Sequence, residues 1–188
     1  MIKTKSDLEE YLAIDKRVLG ISKSKKSPSI WGDDLWRFLI VLRKYEYYSV
    51  NCNSFISRVK LSYYAKFYRI LRILYGFEIP PHCFGAGLKL NHIGPIIVNE
   101  NARIGKFCDI HVGVNIGQNY APDEVPTIGD NVWIGPGVKI FGKIKIADGI
   151  MIGANSVVNK SFLEPNITIA GNPAKKIKNT GNPFIRKE

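Results

Sequence analysis

The sequence predicts a parallel β-helix built from six-residue rungs, preceded by an α-helical region. Aliphatic residues in the C-terminal half recur at a spacing of six, and one extra six-residue unit after Ile116 keeps the phase. A fixed period of this kind marks a repeat fold, and six fits neither the 3.6-residue period of a helix nor a heptad. Small residues such as Gly105 and Gly129 follow most of these positions, as the corners of a narrow coil require. The repeating positions are Val98, Ile104, Ile110, Ile116, Ile128, Ile134, Ile140, Ile146, Ile152 and Val158.

Length and composition indicate one core plus an appendage. The chain has 188 residues, of which 45% are hydrophobic, and this is enough for a sizeable core. Its apolar stretches are far too short to span a bilayer, and the N-terminus becomes acidic where a signal peptide needs apolar residues. Three cysteines, Cys52, Cys83 and Cys108, follow no redox or zinc spacing. We therefore expect a cytoplasmic protein, with Cys108 on an inward-facing position as a small buried hydrophobe.

The positive charge is concentrated before the repeats. The formal net charge is +11, and residues 1–75 hold 15 Lys or Arg against 7 Asp or Glu. A basic surface attracts polyanions such as nucleic acid, anionic lipid or a phosphorylated cofactor. No nucleic-acid recognition motif accompanies the charge, so we expect no nucleic-acid partner. The alternative is that these residues form ordinary solvated helix faces.

Residues 1–77 are predicted to form the N-terminal helical region. Ser6 to Glu9 has the spacing of a capping box, residues 23–29 have the composition of a linker, and residues 31–75 have helical periodicity. Lys and Arg alternate there with Trp, Tyr and Phe. Such helices can lie on an anionic membrane surface, although they more often pack on their own domain or on a neighbouring subunit.

Residues 78–163 are predicted to form the β-helix, and residues 164–188 an aliphatic cap followed by a basic tail. The rungs depart from the repeat at a bulge, residues 92–95, and at a loop, residues 118–127. Functional residues are concentrated in such irregular segments, because the regular coils supply the scaffold. The bulge and the loop are therefore the candidate site.

Together with the rungs, three segments resemble the serine acetyltransferase family of left-handed β-helix acyltransferases. They are NHIGPIIVNENARIG (91–105), IGANSVV (152–158) and IAGNPAKKI (169–177). Within that family, the chain is most similar to the branch found in capsule and exopolysaccharide gene clusters. The resemblance covers residues 76–180. It implies left-handed coils, acetyl-CoA as acyl donor, and a homotrimer with three sites between subunits.

His92 is the predicted general base. It lies in the bulge, where the family has its catalytic histidine after an Asp or Asn. A neutral imidazole can take the proton of a hydroxyl group as its oxygen attacks a thioester. Glu78 lies where the family has an aspartate that pairs with this histidine, and we expect it to orient His92. Alternatively, His92 is a corner residue and Glu78 caps the junction between helix and coil.

By the same resemblance, acetyl-CoA lies in the groove between neighbouring β-helices. Small residues would let its pantetheine arm approach the backbone, and Lys175 and Lys176 would meet its phosphates. The alternative is that the glycines only turn corners. The other matching positions are Gly117, Gly135, Pro136, Gly142, Ala154, Asn155, Gly171, Pro173 and Ala174.

The remaining histidines have weaker interpretations. His111 is expected either to line the acceptor site between subunits or to be a satisfied interface residue. His82 follows two prolines and is interpreted as a turn residue. The positions 82, 92 and 111 do not reproduce the histidine spacing of zinc-dependent β-helix enzymes, so we expect no metal.

The acceptor is predicted from departures from the family. Glu124 and Val125 stand where serine acetyltransferases have an Arg-His pair that holds the substrate carboxylate, and a Glu there would repel it. Asn91 replaces an Asp that would meet the ammonium group. We therefore expect an acetyl-CoA-dependent O-acetyltransferase for a hydroxyl group of a sugar or polysaccharide building block, held near the inner membrane face. The alternatives are a serine O-acetyltransferase and a non-catalytic scaffold.

Overall fold

The structure is a computed structural model that describes residues 1–29 and 31–184. Within these residues, three helices precede fourteen short strands. The helices are α1 (Lys5–Val18), α2 (Asp34–Val50) and α3 (Phe55–Tyr75). The strands are β1 (Phe77–Glu78), β2 (Lys89–Leu90), β3 (Ile96–Val98), β4 (Arg103–Ile104), β5 (Asp109–Ile110), β6 (Asn115–Gly117), β7 (Thr127–Ile128), β8 (Trp133–Ile134), β9 (Lys139–Phe141), β10 (Lys145–Ile146), β11 (Met151–Ile152), β12 (Val157–Val158), β13 (Thr168–Gly171) and β14 (Ala174–Lys178).

The strands wind into a three-sided prism. Strands that follow one another from β2 to β12 join different sheets, so each coil gives one strand to each side. The first sheet has the order β1-β3-β6-β9-β12, the second β4-β7-β10, and the third β2-β5-β8-β11-β13 with β14 antiparallel at its end. The predicted parallel β-helix with an N-terminal helical region is confirmed. The segment boundaries at residues 77 and 163 stay predictions, and residues 185–188 of the predicted tail lie outside the described residues.

The six-residue pattern forms the core. All ten repeating positions are at most 5% exposed, and in the third sheet Leu90, Ile110, Ile134 and Ile152 align directly. Burying one such side chain contributes about 1.5–3 kcal/mol. The stack of β-branched side chains therefore stabilises the prism along its whole length.

The bulge and the loop lie at different edges of the prism. We define the bulge edge as the edge where the chain passes from the third sheet to the first. The register pairs Leu90 with Ile110 and Ile97 with Asn115, so the bulge adds two residues to its coil. Gly94 turns the chain at φ 148°, and its amide donates to the carbonyl of Tyr75 at 3.0 Å. The segments on this edge are 91–95, 111–114, 135–138 and 153–156.

The first helix begins two residues earlier than predicted. Thr4 is its N-cap: the Oγ1 atom of Thr4 accepts from the Asp7 amide at 3.1 Å, and Asp7 Oδ2 accepts from the Thr4 amide at 2.8 Å. The capping box from Ser6 to Glu9 is therefore wrong, because the reciprocal pair forms one half-turn earlier.

A buried ionic cluster joins the helices to the first coil. Arg43 on α2 is 0% exposed, and its guanidinium donates to Asp15 Oδ2 at 2.8 Å and to Glu46 Oε2 at 3.0 Å. It also donates to the carbonyls of Phe84 and Gly85 at 3.0 and 2.7 Å. Burial raises the pKa of Asp15, and the neighbouring guanidinium opposes that shift. Because charged groups are buried here, the junction depends on their complete pairing.

The cysteine thiols are free. Cys83 and Cys108 are buried, and burial raises the pKa of Cys83 to about 11 and the pKa of Cys108 as well. Both are therefore poor thiolates at neutral pH. In the part of the chain that the structure describes, no helix is long and apolar enough to cross a bilayer.

Candidate active site

The bulge presents His92 to solvent. The residue follows β2 and is exposed, and within residues 1–29 and 31–184 no hydrogen bond reaches its imidazole. An exposed, unpaired imidazole is available to bind an incoming hydroxyl group and to accept its proton. The structure therefore leaves His92 in a state that suits the predicted role.

The carboxylate of Glu78 is paired with Arg72 and not with His92. Its Oε1 atom accepts from Arg72 Nη2 at 3.0 Å, across the junction between α3 and β1, and the two side chains are 55% and 35% exposed. No hydrogen bond joins it to His92 in the described residues. This geometry matches the alternative interpretation, in which Glu78 closes the helix-to-coil junction, so its orienting role stays a prediction that requires the pair with Arg72 to open.

Asn91 is fixed beside a buried carboxylate that the sequence interpretation missed. The Nδ2 atom of Asn91 donates to Asp109 Oδ1 at 2.5 Å and to the carbonyl of Ile110 at 3.2 Å. Asp109 is 3% exposed, and its Oδ2 atom accepts from Lys89 Nζ at 2.9 Å. These contacts orient the side-chain oxygen of Asn91 away from Asp109, where it is free to accept.

His111 lies on the same side of the prism. Its Nδ1 atom is 3.0 Å from the carbonyl of Ile134, to which it donates as the Nδ1–H tautomer, and 3.9 Å from Asp109 Oδ1. Its ring centroid lies 4.7 Å from that of Trp133. These contacts favour the interpretation of His111 as a satisfied structural residue over a role in binding the acceptor.

The side chain of Glu124 stabilises its own loop by hydrogen bonds. Its Oε2 atom accepts from the amides of Tyr120 and Ala121 at 3.0 and 3.4 Å, and the Asn119 amide donates to the Glu124 carbonyl at 3.1 Å. The carboxylate is therefore satisfied by backbone donors within residues 118–127. The expected repulsion of a substrate carboxylate by Glu124 has no support in this geometry.

Several predicted acetyl-CoA positions share the bulge edge with His92. Successive coils are linked there by amide-to-carbonyl bonds from Gly113 to Pro95 (2.6 Å), from Gly137 to Val112 (2.9 Å) and from Asn155 to Pro136 (2.9 Å). At about 4.8 Å per coil, Asn155 lies roughly 15 Å along the edge from the bulge. The positions on this edge are Gly135, Pro136, Ala154 and Asn155.

Other predicted acetyl-CoA positions lie elsewhere. Gly117 and Gly142 lie at the next edge, because Gly117 pairs with Phe141 across adjacent coils. Ala174 is 2% exposed, so its methyl group is part of the core, and its predicted contact with acetyl-CoA stays a prediction. Lys176 pairs with Glu164 at 2.6 Å.

The rest of the C-terminal signature lies at the end of the prism. Lys175 is exposed. Gly171, at φ 106°, and Pro173, after a cis peptide bond, turn the chain between β13 and β14. An exposed Lys therefore follows this turn at the start of β14, next to the last coil.

His82 belongs to the helical junction. Its Nε2 atom lies 3.0 Å from Ser49 Oγ, and its amide donates to Glu46 Oε1 at 2.7 Å. Within the described ranges, no three His, Cys, Asp or Glu side chains form a group that could hold a metal ion.

Comparison with known proteins identifies relatives of one kind. Residues 126–160 match the family described as "Bacterial transferase hexapeptide (six repeats)". The serine acetyltransferase of Buchnera aphidicola (subsp. Schizaphis graminum) is 34% identical over 140 residues, which cover 71% of this chain and 52% of that protein. That of Mycobacterium tuberculosis is 36% identical over 120 residues, covering 60% and 52%. The chain thus spans about half the length of these curated relatives.

Solved structures extend the likeness to the helical region. The crystal structure of serine acetyltransferase from Brucella abortus aligns with a TM-score of 0.72 at 26% identity, over 94% of this chain and 71% of that one. Its complex with coenzyme A aligns with a TM-score of 0.73 at 25% identity, over 95% and 70%. The left-handed form of the β-helix and the resemblance to serine acetyltransferases are confirmed.

The predicted sugar acceptor and the assignment to the capsule and exopolysaccharide branch are wrong. The relatives found are serine acetyltransferases, and they overturn an expectation that depended on Glu124, Val125 and Asn91. The structure supplies a physical reason. Glu124 is turned onto its own loop, and Asp109 provides a carboxylate beside Asn91 in place of the missing aspartate.

Proposed function

We propose that this protein is a serine O-acetyltransferase that uses acetyl-CoA, with His92 as its general base. The observation that carries the proposal is the bulge. It presents an unpaired imidazole next to the fixed pair of Asn91 and Asp109, on the edge that also carries Pro136 and Asn155. The similarity to serine acetyltransferases supports serine as the acceptor.

The reaction needs one base that acts twice. His92 takes the proton of the serine hydroxyl while the oxygen attacks the thioester carbonyl carbon and a tetrahedral intermediate forms. When the intermediate collapses, the C–S bond breaks, and the imidazolium returns the proton to the departing sulfur. The products are O-acetylserine and CoA, and the base ends in its starting protonation state.

Asn91 and Asp109 suit the ammonium group of an amino acid. The amide nitrogen of Asn91 is held by Asp109 and the Ile110 carbonyl, so its oxygen can accept from an ammonium donor. The Asp109 carboxylate, whose other oxygen is paired with Lys89, holds that amide at 2.5 Å and so keeps the Asn91 oxygen in one orientation. Hydrogen bonds of this kind to a charged group contribute about 1.5–3 kcal/mol.

The bulge edge suits an extended acyl donor. Its small residues allow close approach to the backbone, and the stretch of roughly 15 Å between the bulge and Asn155 at about 4.8 Å per coil leaves room for a pantetheine arm. In this proposal the thioester lies at His92, and the phosphates extend towards Lys175 on β14.

Assembly completes the site in this proposal. A homotrimer would place the bulge edge of one subunit against its neighbour and enclose the groove. It would also bring a partner surface to the serine carboxylate. Acetyl-CoA as donor and three free thiols favour the cytoplasm.

The test is the release of CoA from acetyl-CoA in the presence of L-serine, L-serine amide or N-acetyl-L-serine. We expect turnover with L-serine and a loss of at least tenfold in kcat/KM with the N-blocked analogue, because it cannot donate as an ammonium. Absence of turnover with L-serine by the folded protein would contradict the proposal.

We expect Asp109→Asn to raise the KM for serine about tenfold, equivalent to about 1.4 kcal/mol, with little change in kcat. The substitution weakens the contact that orients Asn91 and leaves His92 in place. Steady-state kinetics with serine as the varied substrate measure the effect. Asp123→Asn is the matched control, since Asp123 is an exposed carboxylate that pairs only with Lys143 in the described contacts. An unchanged KM in Asp109→Asn would refute this role.

A further inference from the structure

One face of α3 is apolar and open to solvent. The helix packs through Tyr68, Leu71 and Tyr75, each at most 7% exposed. A second stripe of this helix is apolar and stays uncovered within the described residues. We define the outer face of α3 as the residues Ile56, Val59, Tyr63, Phe67, Ile70 and Leu74, which are 66, 53, 53, 39, 48 and 68% exposed.

Positive charge flanks this outer face. Residues 55–75 contain five Lys or Arg and no Asp or Glu. At 3.6 residues per turn, Lys66 borders the stripe on one side, with Arg69 and Arg58 farther round the helix, and Lys60 borders it on the other. Arg72, next to the packed face, is engaged by Glu78. The exposed side of the helix is therefore apolar in the middle and cationic at its margins.

The size and character of this surface fit the plane of a bilayer. At 1.5 Å per residue, 21 residues give a helix of about 31 Å. Tyr63 and Phe67 contact each other with ring centroids 4.5 Å apart, and aromatic residues are favoured at the depth of lipid headgroups. An apolar stripe with Lys and Arg at its edges is typical of helices that lie in the interface of anionic membranes.

The positive charge beside the outer face favours anionic lipid over a second copy of the chain as the partner of this surface. Two such helices packed through their outer faces would bring Lys60 and Lys66 close to the same residues of the partner. Like charges at close range oppose association. Anionic headgroups, in contrast, complement the cationic margins while the acyl region accepts the apolar stripe.

We propose that α3 binds an anionic lipid surface through its outer face, lying along the bilayer rather than across it. No helix within residues 1–29 and 31–184 is apolar enough to span a membrane, and the bulge edge with His92 is not part of this surface. The binding is independent of acetyl transfer, so either proposal can fail without the other.

The test is flotation of the full chain with vesicles of phosphatidylcholine alone or with 30% phosphatidylserine. We expect co-flotation only with the anionic vesicles, and at least a fivefold decrease in 0.5 M salt, because screening weakens the charged contacts. Ile70→Ser/Leu74→Ser should lower the bound fraction at least fivefold. Leu163→Ser, which removes a leucine that is 70% exposed on the β-helix, should leave it unchanged.

Two matched double variants test the contribution of positive charge. Lys60→Gln/Lys66→Gln should reduce binding, whereas Lys145→Gln/Lys160→Gln, an equal charge change on the β-helix, should not. Absence of flotation with anionic vesicles would overturn the proposal. So would a variant at the outer face that changes the oligomeric mass in light scattering, because the face would then be an interface between copies. Serine turnover should stay at the wild-type rate in all four variants.

Discussion

Replacing His92 with alanine is expected to lower kcat/KM for acetyl transfer to serine by about 10²–10⁴-fold, the usual contribution of a positioned general base. Water cannot take the hydroxyl proton as efficiently, because it is neither held in place nor basic enough. Release of CoA under saturating acetyl-CoA measures the effect. The KM for acetyl-CoA should stay close to that of the wild type.

A second histidine provides the control for this experiment. His111 is on the same side of the prism but donates to the Ile134 carbonyl and packs on Trp133. We expect His111→Ala to reduce kcat/KM less than tenfold. Equal losses in the two variants, or full activity in His92→Ala, would mean that the base is another group.

Arg43→Ala should have the largest effect on stability, a loss of about 3–5 kcal/mol. The substitution leaves two buried carboxylates, Asp15 and Glu46, without their cation, and two buried carbonyls, of Phe84 and Gly85, lose their donor. Urea unfolding followed by circular dichroism measures the free energy of unfolding.

Two variants sharpen the interpretation. Arg58→Ala removes an exposed Arg from α3 and should change the free energy of unfolding by less than about 0.5 kcal/mol. Arg43→Lys keeps the charge but not the planar guanidinium that binds both carboxylates. We expect its loss in free energy of unfolding to lie between those of Arg58→Ala and Arg43→Ala. If Arg43→Ala cost less than about 1 kcal/mol, the cluster would not hold the helices on the coil.

The prism could be predicted because the sequence of each rung determines which of its side chains point inward. An Ile or Val at one phase points inward whatever the neighbouring coil contains, so Ile110 and Ile134 are buried as the period requires. The bulge and the loop were recognisable for the same reason, as interruptions of that period. Local sequence was sufficient wherever the structure depends on local repetition.

The contacts between coils and helices could not be predicted in this way. Asp109 occupies an outward position that a repeat normally exposes. It is buried because Lys89, one coil away, and Asn91 close over it. The cluster around Arg43 depends on residues as far apart as Asp15 and Phe84. Sequence periodicity carries no signal for either.

The prediction of a sugar acceptor was wrong because the carboxylate of Glu124 was expected to face the substrate. The position of Glu124 in the alignment does not determine where its side chain points. Glu124 does stand in the loop, but its carboxylate accepts from Tyr120 and Ala121 and so serves the loop itself. The missing aspartate at Asn91 was likewise counted without the carboxylate of Asp109 on the adjacent coil. Both errors come from assigning a role to one position without its partners.

The central claim, that serine is the acceptor, is tested most directly by competition. The protein is incubated with acetyl-CoA and an equimolar mixture of L-serine and a nucleotide sugar with free hydroxyl groups, and the products are identified by mass spectrometry. We expect O-acetylserine in amounts that match the CoA released, and no acetylated sugar. Acetylated sugar as the main product, with serine unchanged, would contradict the proposal.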